Sequence, residues 1–200
     1  MIKTLWLDPG HGAYEKGGFD KGACAGGICE YKANLYTVFD LREEIKAGYC
    51  HCHHISLTRK KDVGEPLYKR MHLPKAGDFY ISVHYNAFNR PAHGGELWVQ
   101  SDLLHKFKHE FVDLNKRLKK VYEEQGYVWR GIKDASRWGT RGMYIERMKV
   151  PAILWEVGFL KWDFDKSDFD EQFGAVKGPE LKEIIEGFAK SLYFSLLKKI

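Results

Sequence analysis

The sequence lacks any long hydrophobic run. No stretch approaches the roughly 18 apolar residues that cross a bilayer, so stable membrane insertion is not expected. The opening segment Met1-Ile2-Lys3-Thr4-Leu5-Trp6 has neither the apolar core nor the small-residue cleavage site of a signal peptide. Synthesis in the cytoplasm is expected, with release needed to reach anything outside. There is no Arg-rich block: 32 basic residues are interspersed with 27 acidic ones, for a formal charge of +5. That pattern describes a mixed solvated surface rather than a nucleic-acid partner. Repeats, low-complexity tracts and interdomain linkers are also missing, so residues 1–200 are expected to form one domain, and a monomer. Cysteine is scarce, with four residues at 24, 29, 50 and 52. Neither pair has zinc-finger spacing, and in a cytoplasmic protein four free thiols are the default. The alternatives are a pair of disulfides or a second metal site, and the string Cys50-His51-Cys52-His53-His54 is a candidate for adventitious metal binding.

What is present is a set of short apolar runs that end in chemically useful residues. Thr4-Leu5-Trp6-Leu7 runs into Asp8-Pro9-Gly10-His11; Phe79-Tyr80-Ile81-Ser82-Val83 ends in His84; Ala152-Ile153-Leu154-Trp155 ends in Glu156. Each reads as a buried strand, and open α/β sheets bind ligands at such strand ends. Further strands are expected at 54–58 and 96–100. Helical spacing runs from Glu30 to Gly48, over about 102–125, and from Pro179 to about Lys199, with a short helix around Leu67–Leu73. Gly17–Gly27 has loop composition, and 126–144 reads as irregular. Alternating strands and helices define an α/β fold with a mixed, mostly parallel sheet.

Several strings together carry a resemblance: LDPGHG, the Glu30 segment, TRKKD at 58–62, Leu67–Arg70, KAGDFYISVHYNA, RGIK at 130–133 and PAILWEVGFL. In this order the chain resembles the zinc-dependent N-acetylmuramoyl-L-alanine amidases of the AmiC/CwlV type. The resemblance implies a sheet of about six strands flanked by helices. It implies one Zn2+ held by His11, Glu30 and His84, with Glu156 as the catalytic carboxylate. Asn86 is a candidate substrate contact. Glu30 on its own would read as a helix N-terminal carboxylate favoured by the dipole, so its ligand role rests on the resemblance. Two positions depart from the family: Tyr85, where a small residue is usual, and Lys161-Trp162-Asp163, where Asn is usual; both are expected to bear on substrate choice.

Two histidines and a carboxylate form the ligand set of hydrolytic zinc sites that keep a position open. A second carboxylate, outside the ligand set, is needed to move protons, and a buried Glu156 would be costly without such a role. Arg59, Arg70, Arg130 and Arg147 could meet peptide carboxylates or merely neighbouring acids. The expected function is cleavage of the amide between N-acetylmuramic acid and L-alanine in peptidoglycan. An endolysin-like setting, without a separate wall-binding domain, fits best. The alternatives are a zinc peptidase cutting within the stem peptide and a non-catalytic wall-binding module.

Overall fold

A computed structural model describes residues 2–15, 17–48, 52–88 and 90–199. The central sheet has six strands: β1 (Thr4–Pro9), β2 (His54–Leu57), β3 (Phe79–Asn86), β4 (Gly95–Val99), β5 (Trp129–Asp134) and β6 (Ala152–Phe159). Their order is β2-β1-β3-β6-β4-β5. β2, β1, β3 and β6 are mutually parallel; β4 runs antiparallel to β6, and β5 runs parallel to β4. The helices are α1 (Glu30–Lys46), α2 (Leu67–Arg70), α3 (Ser101–Lys106), α4 (Lys108–Glu124) and α5 (Pro179–Leu192). This is the expected mostly parallel α/β arrangement.

Side chains alternate across a strand, and that alternation sorts the core. Leu5, Leu7, Ile81, Val83, Ile153, Trp155 and Val157 pack with Val38 and Leu41 of α1, Leu114 of α4, and Ile184 and Phe188 of α5. The Trp155 indole stacks on the Phe188 ring, with centroids 3.8 Å apart. On the opposite face Tyr80, Trp98 and Leu154 meet Met143, Ile145, Met148 and Val150 from the segment preceding β6. Strand β6 is buried on both faces, as parallel strands usually are, so its sequence reads as a continuous apolar run.

Three sequence expectations are corrected. The helix expected over 102–125 breaks at Phe107, whose φ of −114° and ψ of 39° leave the helical region and separate α3 from α4. The segment 126–144 is not wholly irregular, because it supplies edge strand β5. The cysteines are not all free thiols. Cys24 and Cys29 are cross-strand partners in a short hairpin, and they form a disulfide. Between their strands lie Gly26 and Gly27, with φ of 59° and 78°. Two consecutive positive-φ residues make the tight turn that matches strand twist, which glycine adopts without strain. Cys52 is disulfide-bonded as well. Cys50 and His51 lie outside the described residues, and with them the metal-binding string.

Candidate active site

The sheet order brings the carboxyl ends of β1, β3 and β6 side by side. Pro9 lies beside Val83, and His84 beside Glu156. Adjacent residues in register share a face, so His84 and Glu156 project together. His11 follows β1 in a left-handed conformation, φ 59°, which costs a non-glycine residue about 1 kcal/mol or more. A polar clamp holds the turn before it. Arg59 donates to the carbonyls of Pro9 at 3.0 Å and Gly10 at 3.1 Å. Asn34 donates to Gly10 at 3.0 Å, and Arg70 to Pro9 at 3.1 Å. Arg70 also pairs with the fully buried Asp8. The acidic alternative is therefore the one realised for Arg70, while Arg59 serves backbone carbonyls.

Three donors converge beside this turn. Nε2 of His11 lies 3.1 Å from Oε1 of Glu30, and Nδ1 of His84 lies 2.8 Å from the same oxygen. Ligand atoms of His11, Glu30 and His84 all fall within 4.8 Å of one another, a group that could hold a metal ion. Nδ1 of His11 faces the Asp20 carboxylate at 2.8 Å. A carboxylate only accepts, so Nδ1–H of His11 donates to Asp20, and Nε2 is the nitrogen turned to Glu30. That arrangement, with a carboxylate orienting a ligating histidine, is characteristic of metal sites. Beside the Glu30 carboxylate, Nε2 of His11 can carry either a proton or a metal ion. The same field acts on His11 itself: burial opposes its protonation, but Glu30 and Asp20 raise its pKa to about 9. Nε2 of His84 is buried without a hydrogen-bond partner among the described residues. The donor set thus fits a metal.

Glycine lets the backbone close around these groups. A Cβ on Gly10 would sit 2.3 Å from the His84 ring, and one on Gly22 would sit 2.6 Å from both Glu30 and His11. Glu30 opens α1 directly after Cys29, and its N–H donates to the Ala23 carbonyl at 2.7 Å. In return Oε2 of Glu30 accepts from the Ala23 N–H at 2.9 Å. The disulfide hairpin is therefore built into the mounting of Glu30.

Glu156 is 8% exposed, and its Oε2 has no hydrogen-bond partner among the described residues. Burial first, then the carboxylates of Glu30 and Glu96, push its pKa well above the ordinary carboxylate range. Asn86 ends β3 half-buried, and its carbonyl accepts from Leu160 at 2.8 Å. At the two family departures, Tyr85 and Asp163 have structural partners. Tyr85 is buried on the helix side, its hydroxyl 2.7 Å from that of Thr37. The Asp163 carboxylate accepts at 2.8 Å from the N–H groups of both Gly94 and Phe159, and so ties the turn before β4 to the end of β6. Sequence reasoning missed Asp20 and Glu96; a lone Asp in a Gly-rich stretch carried no signal of its own.

The fold and site define a class: an α/β protein with a His-Glu-His metal-type cluster and a buried acid at the carboxyl edge of its sheet. Residues 5–173 match the N-acetylmuramoyl-L-alanine amidase family, and the chain belongs to that family. Over 205 residues it is 27% identical to the endolysin of Bacillus phage SPP1, covering 96% of this chain and 65% of that protein. It is 29% identical to the N-acetylmuramoyl-L-alanine amidase CwlM of Bacillus licheniformis over 171 residues, covering 80% of this chain and 57% of the relative. The chain thus spans 57–65% of the length of these curated relatives. The fold matches that of the CwlV catalytic domain of Bacillus (Paenibacillus) polymyxa var. colistinus, with a TM-score of 0.68, 22% identity and 96% coverage of both chains. An N-acetylmuramoyl-L-alanine amidase from Clostridium difficile 630 gives a TM-score of 0.73 at 24% identity, covering 100% of this chain and 99% of the other.

Proposed function

We propose that the chain is a zinc-dependent N-acetylmuramoyl-L-alanine amidase that cuts the amide between the lactyl group of N-acetylmuramic acid and L-alanine in peptidoglycan. One observation carries the reading. In a chain of this family, His11, Glu30 and His84 converge within 4.8 Å, next to a buried acid with an unpartnered oxygen. Zinc, when bound by these three residues, activates water and polarises the amide carbonyl. Glu156 takes the proton of the attacking water at its free Oε2 and passes it to the departing amine. An amide nitrogen leaves only when protonated, so the raised proton affinity of Glu156 suits it to return the proton as well as accept it. Asp20 keeps His11 in the Nδ1–H tautomer. The clamp of Arg59, Arg70 and Asn34 holds the strained turn that aims His11. Among the described residues no helix is long and apolar enough to cross a membrane. Similarity to a phage endolysin favours a wall-lysing role.

Glu156→Gln tests this reading. The amide side chain keeps the shape but cannot accept a proton, so turnover should fall by roughly 100-fold or more while zinc content stays at the wild-type level. Digestion of purified sacculi by the wild type should expose new L-alanine amino termini. A different amino terminus would make the enzyme a peptidase. Zinc loss in Glu156→Gln would make Glu156 a ligand instead.

A further inference from the structure

Beyond Glu156 the sheet carries a second buried acid. Glu96 of β4 lies opposite Glu156 in register, and it is 2% exposed. Like charges in such a cross-strand pair repel, and Glu96 is matched by two cations. Lys133 pairs with it, and Nε of Arg130 approaches its Oε2 at 3.2 Å. Trp98 adds an N–H donor at 2.8 Å.

Residues three apart on a regular strand face opposite sides, so Arg130 and Lys133 should not both reach Glu96. A bulge resolves this. Gly95 pairs with Trp129 and Leu97 with Ile132, so β5 spends one more residue than β4 over this stretch. Gly131, at φ 93°, supplies the backbone conformation. Bulges re-aim side chains in this way beside active sites. The result is two cations on one carboxylate. Arg130 is the more open of them, with its side chain 36% exposed and its guanidinium 5.2 Å from the centre of the Phe159 ring. It approaches Glu96 through Nε, and a guanidinium is a planar fork of the kind that takes a carboxylate bidentately.

We propose that Arg130 is a specificity residue that binds the carboxylate nearest the scissile bond on the leaving peptide. This rests on the amidase reading above. The order of groups across the sheet is His84, Glu156, Glu96, with Arg130 and Lys133 beyond. Glu156 delivers its proton to the leaving nitrogen, so the peptide attached to that nitrogen extends on past Glu156 toward Arg130. The sugar side of the bond offers no carboxylate, because its lactyl carboxyl is consumed in the amide. The peptide side does: a γ-linked glutamyl second residue keeps its α-carboxylate free.

The test uses two N-acetylmuramoyl tripeptides that differ only in whether that α-carboxylate is free or amidated. The zinc-loaded wild type should favour the free acid in kcat/KM by roughly 10- to 100-fold, the scale of a hydrogen bond between charged groups. Arg130→Gln should bring the ratio close to one, and Arg130→Lys should keep part of it. A wild-type ratio near one overturns the proposal while leaving the amidase reading intact. So does an equal loss on both substrates in Arg130→Gln, which would confine Arg130 to a structural role through Glu96. Failure of the wild type to cleave either substrate at the lactyl amide overturns the amidase reading and this proposal together. Should Arg130→Gln not fold, the wild-type ratio and the Arg130→Lys ratio decide.

Discussion

Substituting Gly10 with alanine should disable the metal site without touching any proposed ligand. Unlike Gly12 and Gly22, Gly10 does not lie in the left-handed region, so Ala costs nothing in backbone conformation. Its Cβ would fall 2.3 Å from both Cε1 and Nε2 of His84, whereas ordinary contact begins at 3.4 Å. The imidazole, or the turn, must then retreat by about 1 Å. Metal–ligand distances tolerate only about 0.2 Å, so His84 can no longer meet the point on which His11 and Glu30 converge. Even outer-shell disruption weakens metal binding by 10- to 100-fold. Displacing a ligand should reach or exceed the upper figure, roughly 100-fold or about 2.7 kcal/mol. Competition against a chromophoric chelator measures this directly. Urea unfolding of the metal-free protein serves as the control, with an expected overpacking cost of about 1–3 kcal/mol. An affinity for zinc within threefold of wild type would refute the reasoning, since it would mean that His84 is not held against Gly10 or does not bind metal.

Asp20→Ala removes the partner of His11 Nδ1 and should weaken zinc binding by about 10- to 100-fold; unchanged affinity in the same competition assay would contradict it. Replacing Cys24 and Cys29 with Ser opens the hairpin that mounts Glu30, and the loss of loop closure should cost about 2 kcal/mol of stability, read by urea unfolding with and without reductant. Wild-type stability under reduction would show the bridge to be dispensable. Asp8 should make stability fall in acid. Burial raises its pKa, but Arg70, Thr58 and Ser82 bring it down to about 2 from 3.8. Because the folded value is depressed, the stabilisation is complete above about pH 4 and fades as pH falls toward 2. It amounts to about 2 kcal/mol, and the metal-free Asp8→Asn variant should show a flatter dependence over that range. Identical slopes would count against the Asp8 assignment.

How much of this could be read in the sequence follows from where each residue sits. His11, His84 and Glu156 were legible because each terminates an apolar run, and parallel strands end at a common edge. Glu30 was not legible by itself, since a carboxylate opening a helix is ordinary; the family resemblance supplied it. Strand β5 was hidden because Trp129-Arg130-Gly131-Ile132-Lys133-Asp134 is a bulged edge strand without period-two alternation. The break at Phe107 was hidden because Leu103, Phe107 and Phe111 keep an unbroken four-residue spacing. The disulfide did have a signal. Two cysteines five apart around Gly26-Gly27 occupy facing positions of a two-residue hairpin, but a cytoplasmic default outweighed that geometry. Arg59 and Arg70 carry no sequence mark that separates a buried clamp from a substrate contact; burial alone decides it.

Three buried acids share one face of the sheet, and their partners assign them different work. Asp8 is fully enclosed with Arg70, and its pKa is held at about 2, so it stays ionised throughout the working range. Removing Arg70 would leave a buried charge unpaired, a change that typically costs 3–5 kcal/mol, and so this pair belongs to the framework. Glu96 answers to Lys133 and Arg130 together. Glu156 has no hydrogen-bond partner on its Oε2 among the described residues, and the carboxylates of Glu30 and Glu96 act on it more strongly than His11 and Arg130 do. Of the three it is the one whose surroundings favour holding a proton, as the proposed acid–base role asks. What would separate a framework acid, an anchoring acid and the proposed proton-transferring acid is therefore not the sheet face, which they share, but the cations that neighbouring strands and loops pair with each.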